Sequence, residues 1–195
     1  MTVAVEQADQ GYRDRIHDGF VAAVREKGLA RAQIADICRH ARISKRSFYE
    51  CFPTKEAAFA ELCAAASTAT FDAVAAFAAS DLPWADMVDR AVDLYLQALD
   101  DDPLMAAVIS YDMAGIGDGG ADARREAVDR YAGLLAAASR AASRRDPTVR
   151  ELSADVALLL VGGIGELVDQ AVAAGRPAAE LGPVVKSVIG ALSRA

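Results

Sequence analysis

Apolar side chains recur along this chain every three to four residues and hardly anywhere in strict alternation, the pattern of helices that each bury one face. Residues 12–27 place Ile16, Phe20, Ala23 and Val24 on one side, and Gly28 follows as a helix-ending glycine. Residues 33–40 carry Ile34, Ile37 and Cys38 on one side. Ser44 stands where it can cap a short helix running to about Cys51, closed by Phe52-Pro53. Thr54 caps a long helix from Lys55 to about Ala79, with Phe59, Leu62, Cys63 and Ala66 at i, i+3, i+4, i+7 spacing.

After a break at 80–83 the same period predicts helices over 84–99, 104–113 and 122–144, with an acidic run at 100–102 and a glycine-rich loop at 115–120 between them. Asp146-Pro147 ends the third of these. Two strongly apolar helices are then expected, from Thr148 to Ala174 and from Ala178 to Ser193. On the last, Leu181, Val184, Val185, Val188, Ile189 and Leu192 form one apolar stripe, too apolar to face solvent. The expected fold is all-α, about nine helices with no strand and no internal repeat.

Composition agrees with that outline. With 53% hydrophobic and 25% charged residues and only 6 prolines in 195 positions, the chain can build a core and is not a disordered one. Residues 1–11 are acidic and carry no apolar run, so no signal peptide is expected. The longest apolar run, 156–164, is too short for a bilayer and is followed by Glu166 and Asp169, so the expected location is the cytoplasm, without a membrane. Three scattered cysteines (Cys38, Cys51, Cys63) suit a reducing compartment. Two histidines, His17 and His40, read as solvent-facing, so neither a metal site nor another cofactor is expected.

Charge changes the picture more. The net charge is −7, yet residues 1–55 hold ten Lys/Arg against seven Asp/Glu, which leaves −10 for the remainder. A basic head on an acidic body suits a molecule that touches phosphate at one end. The head also carries a helix-turn-helix pattern over 33–52. Ile34, Ile37, Cys38 and Ala41 face inward from the first helix, Ile43 plugs the turn, and Phe48 and Phe52 face inward from the second. Lys45, Arg46, Ser47 and Tyr49 are then left outward, a set suited to phosphates and base edges, and Lys55 adds a cation at the next helix start.

Ile16-x-x-Gly-x-x-x-Ala-x-x-x-Lys-Gly28, followed by Ile34-Ala-Asp-Ile-Cys-x-x-Ala41-x-Ile-Ser-Lys-Arg-Ser-Phe-Tyr-x-x-Phe-x-x-Lys-Glu56, closely resembles the N-terminal domain of the TetR family of regulators. The resemblance covers about residues 12–62. It implies a helix-turn-helix DNA-binding domain over 1–54 and a helical ligand-binding and dimerisation domain over 55–195. It further implies that Lys45, Arg46, Ser47 and Tyr49 face DNA, with Gln33, Ser44 and Lys55 on the backbone. Arg42 replaces the usual turn glycine and Arg46 a usual small residue. Both are expected to alter the DNA preference, and Arg42 joins the expected DNA contacts. Ala32 and Gln33 stand for two common threonines, Cys51 for an aromatic or His, and Phe20 carries the bulk usual at the Val24 position.

The same resemblance implies a homodimer through Thr148 to Ala174 and Ala178 to Ser193. It implies a double-stranded palindromic operator, and a small-molecule effector whose binding releases the DNA, as in a repressor. Candidate effector contacts are Phe71, Trp84, Met87, Tyr95, Met105, Tyr111 and Met113, with Asp112, Glu166, Asp169 and Gln170 as polar partners. Gly162-Gly163-x-Gly165 follows no strand, so it reads as close helix packing or room for a ligand rather than a nucleotide loop. No Ser/His/Asp or metal spacing supports an enzyme. The competing reading is a helical interaction protein whose helix-turn-helix no longer binds DNA, against which Arg42, Lys45 and Arg46 argue.

Overall fold

The computed structural model describes residues 2–102 and 119–195, with side chains over 11–102 and 124–195. Eight α-helices occur among the described residues: α1 Thr2–Lys27, α2 Ile34–Ala41, α3 Lys45–Cys51, α4 Lys55–Ala78, α5 Trp84–Asp101, α6 Gly119–Arg145, α7 Ala154–Ala173 and α8 Gly182–Leu192. A 3-10 turn, Ala178–Leu181, precedes the last. Among the described residues the only β pairing is one isolated bridge, Val149 with Arg194, so the fold is all-α as the periodicity predicts. The helix expected over 104–113 lies outside the described residues.

The chain divides into two compact units, Met1–Ala65 and Ala66–Ala195. In the first, Ile16, Phe20 and Ala23 of α1 meet Ile37, Cys38 and Ala41 of α2, and Phe48, Phe52 and Phe59 complete the core. Gly19 is required there. A Cβ at this position would lie 2.6 Å from Ile37 O, so α1 and α2 touch backbone to backbone at the glycine of the motif. Val24 and Ile34 are only half-buried, and Val21 is buried instead. The first helix starts at Thr2 rather than near Tyr12, because Gly11 sits exposed in mid-helix, where a glycine weakens a helix without stopping it.

In the second unit Leu96 and Leu99 of α5, Leu160, Val168 and Ala171 of α7, and Val185 and Ile189 of α8 form the main core. Alanines let α6 and α7 pack closely through Ala132, Ala136 and Ala157. The helix expected to start at Thr148 starts at Ala154, because the preceding N–H groups are engaged elsewhere. Asp146 accepts from Thr148 N and Oγ1 at 2.9 and 2.7 Å, and buried Ser139 Oγ accepts from Leu152 N at 3.0 Å. Ser153 then caps α7 by accepting from Val156 N at 3.3 Å. The final helix expected from Ala178 begins as the 3-10 turn, whose first two N–H groups donate to Asp100 at 2.7 and 2.9 Å. Trp84 Nε1 donates to buried Ser193 Oγ at 2.7 Å and pins the end of α8.

Candidate functional site

The turn between α2 and α3 is built on a left-handed residue. Arg42 has φ 53° and ψ 47°, so the position that a glycine would occupy keeps a glycine-like conformation with an arginine in it. Ile43 N returns to Cys38 O at 3.1 Å, closing the helix end in the manner of a Schellman turn. Arg15 of α1 holds the same turn from outside. Its guanidinium donates to Ala41 O at 2.9 Å and to Arg42 O at 2.7 Å, satisfying carbonyls that the end of α2 leaves open. Sequence reasoning missed this clamp, since Arg15 lies 26 residues before Ala41 and its pattern position is simply an exposed helix face.

Ser44 caps α3 by accepting from Ser47 N at 3.0 Å, and its hydroxyl also lies 3.0 Å from Ser47 Oγ. Both serines are therefore partly engaged within the helix start. Phe48 and Phe52 are buried, their rings tilted by 47° with centroids 5.9 Å apart, while Ile43 is half-buried. This leaves Lys45, Arg46 and Tyr49 exposed on α3, with Arg42 exposed beside them. The Arg46 side chain is 88% exposed and pairs with Glu50 at 3.0 Å, an exchangeable surface pair. Gln33 is exposed, and its N–H donates to Asp36 at 3.1 Å. Lys55 is half-buried, and its ammonium donates to Leu29 O at 3.3 Å and Ala32 O at 3.1 Å, so it ties the loop before α2.

Charges join α1 to α2. Glu26 accepts from Arg39 at 2.7 Å and lies 2.7 Å from His40 Nε2, and these bonds hold its carboxyl below the usual carboxylate range. Lys27 donates to Asp36, which with the Gln33 N–H keeps that carboxyl low as well. His40, expected to face solvent, is half-buried against Glu26, and His17 is half-buried beside Asp18. Cys38 and Cys63 are buried, and burial pushes the Cys38 thiol up. No group of His, Cys, Asp and Glu able to hold a metal ion occurs among the described residues.

The second unit contains an apolar cavity of about 110 Å³. Val74, Met87, Val88, Val92, Leu135 and Ile164 line it, together with Tyr95 and Tyr131. Tyr131 sits at the centre of an aromatic cluster, 5.1 Å from the Tyr95 ring and 5.2 Å from Phe71, with Arg130 over Phe71 at 4.2 Å. Burial pushes the Tyr131 hydroxyl up to about 12 and the Tyr95 hydroxyl up further. Tyr131 Oη is buried and has no hydrogen-bond partner among the described residues. A buried hydroxyl left so costs about 1–3 kcal/mol.

Of the expected effector contacts, Met87 and Tyr95 line the cavity and Phe71 stands behind Tyr131. Trp84 is instead engaged with Ser193. Glu166 is exposed and bonded to Gln170 at 3.1 Å, away from the lining, because α7 turns that face outward. Asp169 pairs with Arg124 at 3.1 Å. Met105, Tyr111, Asp112 and Met113 lie outside the described residues. Tyr131 went unnoticed in the sequence, although it is the one aromatic of an alanine-rich helix.

The last two helices each present an apolar outer face. Leu158, Leu159, Leu167 and Val172 are exposed on α7, Leu159 by 73%, and Val184, Val188 and Leu192 on α8. The stripe expected to be continuous on α8 is thus split, with Leu181, Val185 and Ile189 buried in the unit's own core. Gly162 and Gly163 have open space where a side chain would stand. As a whole helix, Ala154–Ala173 is long and apolar enough by length and composition to cross a membrane, which its uninterrupted run is not.

Residues 21–62 match the family described as bacterial regulatory proteins, tetR family. No curated protein matches the chain by sequence. Solved structures of the same fold include the fatty acid degradation regulator FadR from Bacillus halodurans, 18% identical, covering 91% of this chain and 94% of that one, with a TM-score of 0.75. FadR from Bacillus subtilis, in complex with stearoyl-CoA, is 16% identical over 90% and 96%, with a TM-score of 0.70. The regulator PfmR from Thermus thermophilus is 17% identical over 90% and 96%, with a TM-score of 0.68. Residues 21–62 thus carry the sequence signature of the tetR family of regulatory proteins, and the chain as a whole shares the fold of these regulators.

Proposed function

We propose that this chain is a ligand-responsive transcriptional repressor that binds a palindromic operator as a dimer and is released by a small molecule. The observation that carries the reading is the outer face of α3, where Lys45, Arg46 and Tyr49 stand exposed beside Arg42. Long cations and a phenol suit phosphates and guanine edges in a major groove. In this reading Ser47 joins them toward DNA, Gln33 and Ser44 meet the DNA backbone from helix starts, and Lys55 does so from the start of α4 while fixing the loop before α2. Residues 1–54 form the DNA-binding part and 55–195 the effector-binding and dimerising part. Helix α4 contributes to both compact units and is the element through which an effector would act on DNA binding.

Pairing of α7 and α8 with their mates in a second copy would cover the exposed leucines and valines and bring α3 to its twin at roughly 34 Å or a multiple of one DNA turn. This reading also explains the apolar α7 without a bilayer, since Glu166, Asp169 and Gln170 share that helix, and it goes with a cytoplasmic location. The B. subtilis relative makes stearoyl-CoA the comparison ligand for the effector site. The test is a gel shift on genomic fragments selected by the purified chain. Arg46→Ala is expected to weaken specific binding by about 5- to 100-fold, the worth of one base contact. Unchanged affinity in Arg46→Ala and Tyr49→Phe would mean a different reading face. No selected fragment at all would favour a helical interaction protein.

A further inference from the structure

We propose that Arg13 and Arg15 of α1, outside the reading helix, are positioning residues for it. Together they fix the tilt of α3 at both of its ends, and with that tilt the sequence discrimination of the chain. This deepens the DNA-binding reading above and rests on it. The need arises in α3 itself, which has seven residues and one buried side chain, Phe48. Two turns of helix are too short to hold their own course. One buried ring sets the depth of such a helix and leaves it free to pivot. Phe52, buried just after it, adds little leverage, because its ring centroid lies 5.9 Å from that of Phe48.

Both ends are held from α1. Before α3, Arg15 donates from Nε to Ala41 O at 3.2 Å, and from Nη2 to Ala41 O at 2.9 Å and Arg42 O at 2.7 Å. A rigid planar fork thus grips the turn from which the helix departs. Gly19, one turn further along α1, brings its backbone against the same Ala41. At the other end Arg13 donates from Nη2 to the carbonyl of Cys51, the last residue of α3, at 3.4 Å. Its guanidinium lies 4.8 Å from the Phe52 ring centroid and is anchored by an ion pair with Glu61 of α4. Side chains two positions apart leave a helix about 200° apart, so the two arginines reach round different flanks of α1. A cation at a helix end ordinarily steadies that helix alone. Here the two cations grip the segments on either side of one short helix, the one whose outer face carries Lys45, Arg46 and Tyr49.

The test uses the full chain with Arg13→Lys and with Arg15→Lys, which keep the charge and lose the fork. Each is titrated against a genomic fragment selected by the wild type and against a scrambled fragment of equal length. Loss of a phosphate contact, or of folded protein, weakens binding to every sequence alike, whereas a tilted α3 weakens the selected sequence alone. Each variant is expected to lose about tenfold in the ratio of the two affinities, on the order of one mismatched base pair. Binding to the scrambled fragment should stay within about twofold, because the positive charge remains. In the free chain, amide exchange over residues 45–51 should quicken in both variants while that of α1 stays as in the wild type. An undiminished ratio in both variants, equal weakening on both fragments, or unaltered exchange over α3 each overturns the proposal. A wild type that selects no fragment overturns the DNA-binding reading and this role with it. A wild type that selects a fragment while both variants discriminate as well overturns this proposal alone.

Discussion

Arg42 holds a backbone conformation that costs an L-residue about 1–2 kcal/mol, and it does so at a turn where glycine would be free of that cost. The clamp from Arg15 and the return bond from Ile43 hold it there. Arg42→Gly is therefore expected to raise the stability of the first unit by up to about 1 kcal/mol in thermal unfolding, offset in part by the flexibility glycine adds to the unfolded chain. The same change should weaken DNA binding if the guanidinium touches phosphate. Lower stability in Arg42→Gly would show that the arginine side chain, and not its backbone, governs the turn. At this scale the sequence was readable wherever one residue answers to one local rule. Phe48 and Phe52 face inward, and Ser44 and Thr54 cap. Arg15 and the Tyr131 ring answer to partners far along the chain, and no local pattern announces those.

Elements were legible as far as their own periodicity extends. Helices α2 and α3 need only short-range spacing and lie within a residue or so of their expected bounds. The start of α7 was misplaced because Thr148, Leu152 and their N–H groups are claimed by Asp146 and Ser139, side chains of the preceding segment. The joint of α1 with α2 carries a prediction of its own. Both Glu26 and Asp36 are ionised below their ordinary values of 4.5 and 3.8 by bonds to Arg39, His40 and Lys27. A depressed folded value means stability that is fully present above the ordinary value and lost as pH falls through the lowered one. Unfolding midpoints should hold steady above about pH 5.5 and drop progressively below the ordinary value of 4.5. In Glu26→Gln with Asp36→Asn that drop should be shallower, and an unaltered acid limb would assign it to other carboxylates.

For the whole molecule the decisive feature is the apolar outer face of α7 and α8, which no single chain covers in the described residues. Hydrophobic stripes told the sequence reader that these residues are buried, but not whether by the same chain or by another copy. Val185 and Ile189 turned out to belong to the first case. Leu159, Val184 and Val188 are assigned by the pairing proposal to the second. Leu159→Arg with Val188→Arg is expected to leave the helical content intact and convert a sedimenting dimer to a monomer. An unchanged sedimentation coefficient would move the interface elsewhere.

That outward leucine face has a consequence for how such a regulator responds to its own abundance. If two copies must meet before either can hold an operator, occupancy at low abundance rises with the square of the number of chains per cell. Halving synthesis then cuts bound operator about fourfold rather than by half, by mass action alone. Under that pairing the threshold is set by Leu159 and its neighbours, which belong to the second unit and not to the reading helix α3, so mutations there would retune the steepness of repression and leave the recognised sequence unaltered.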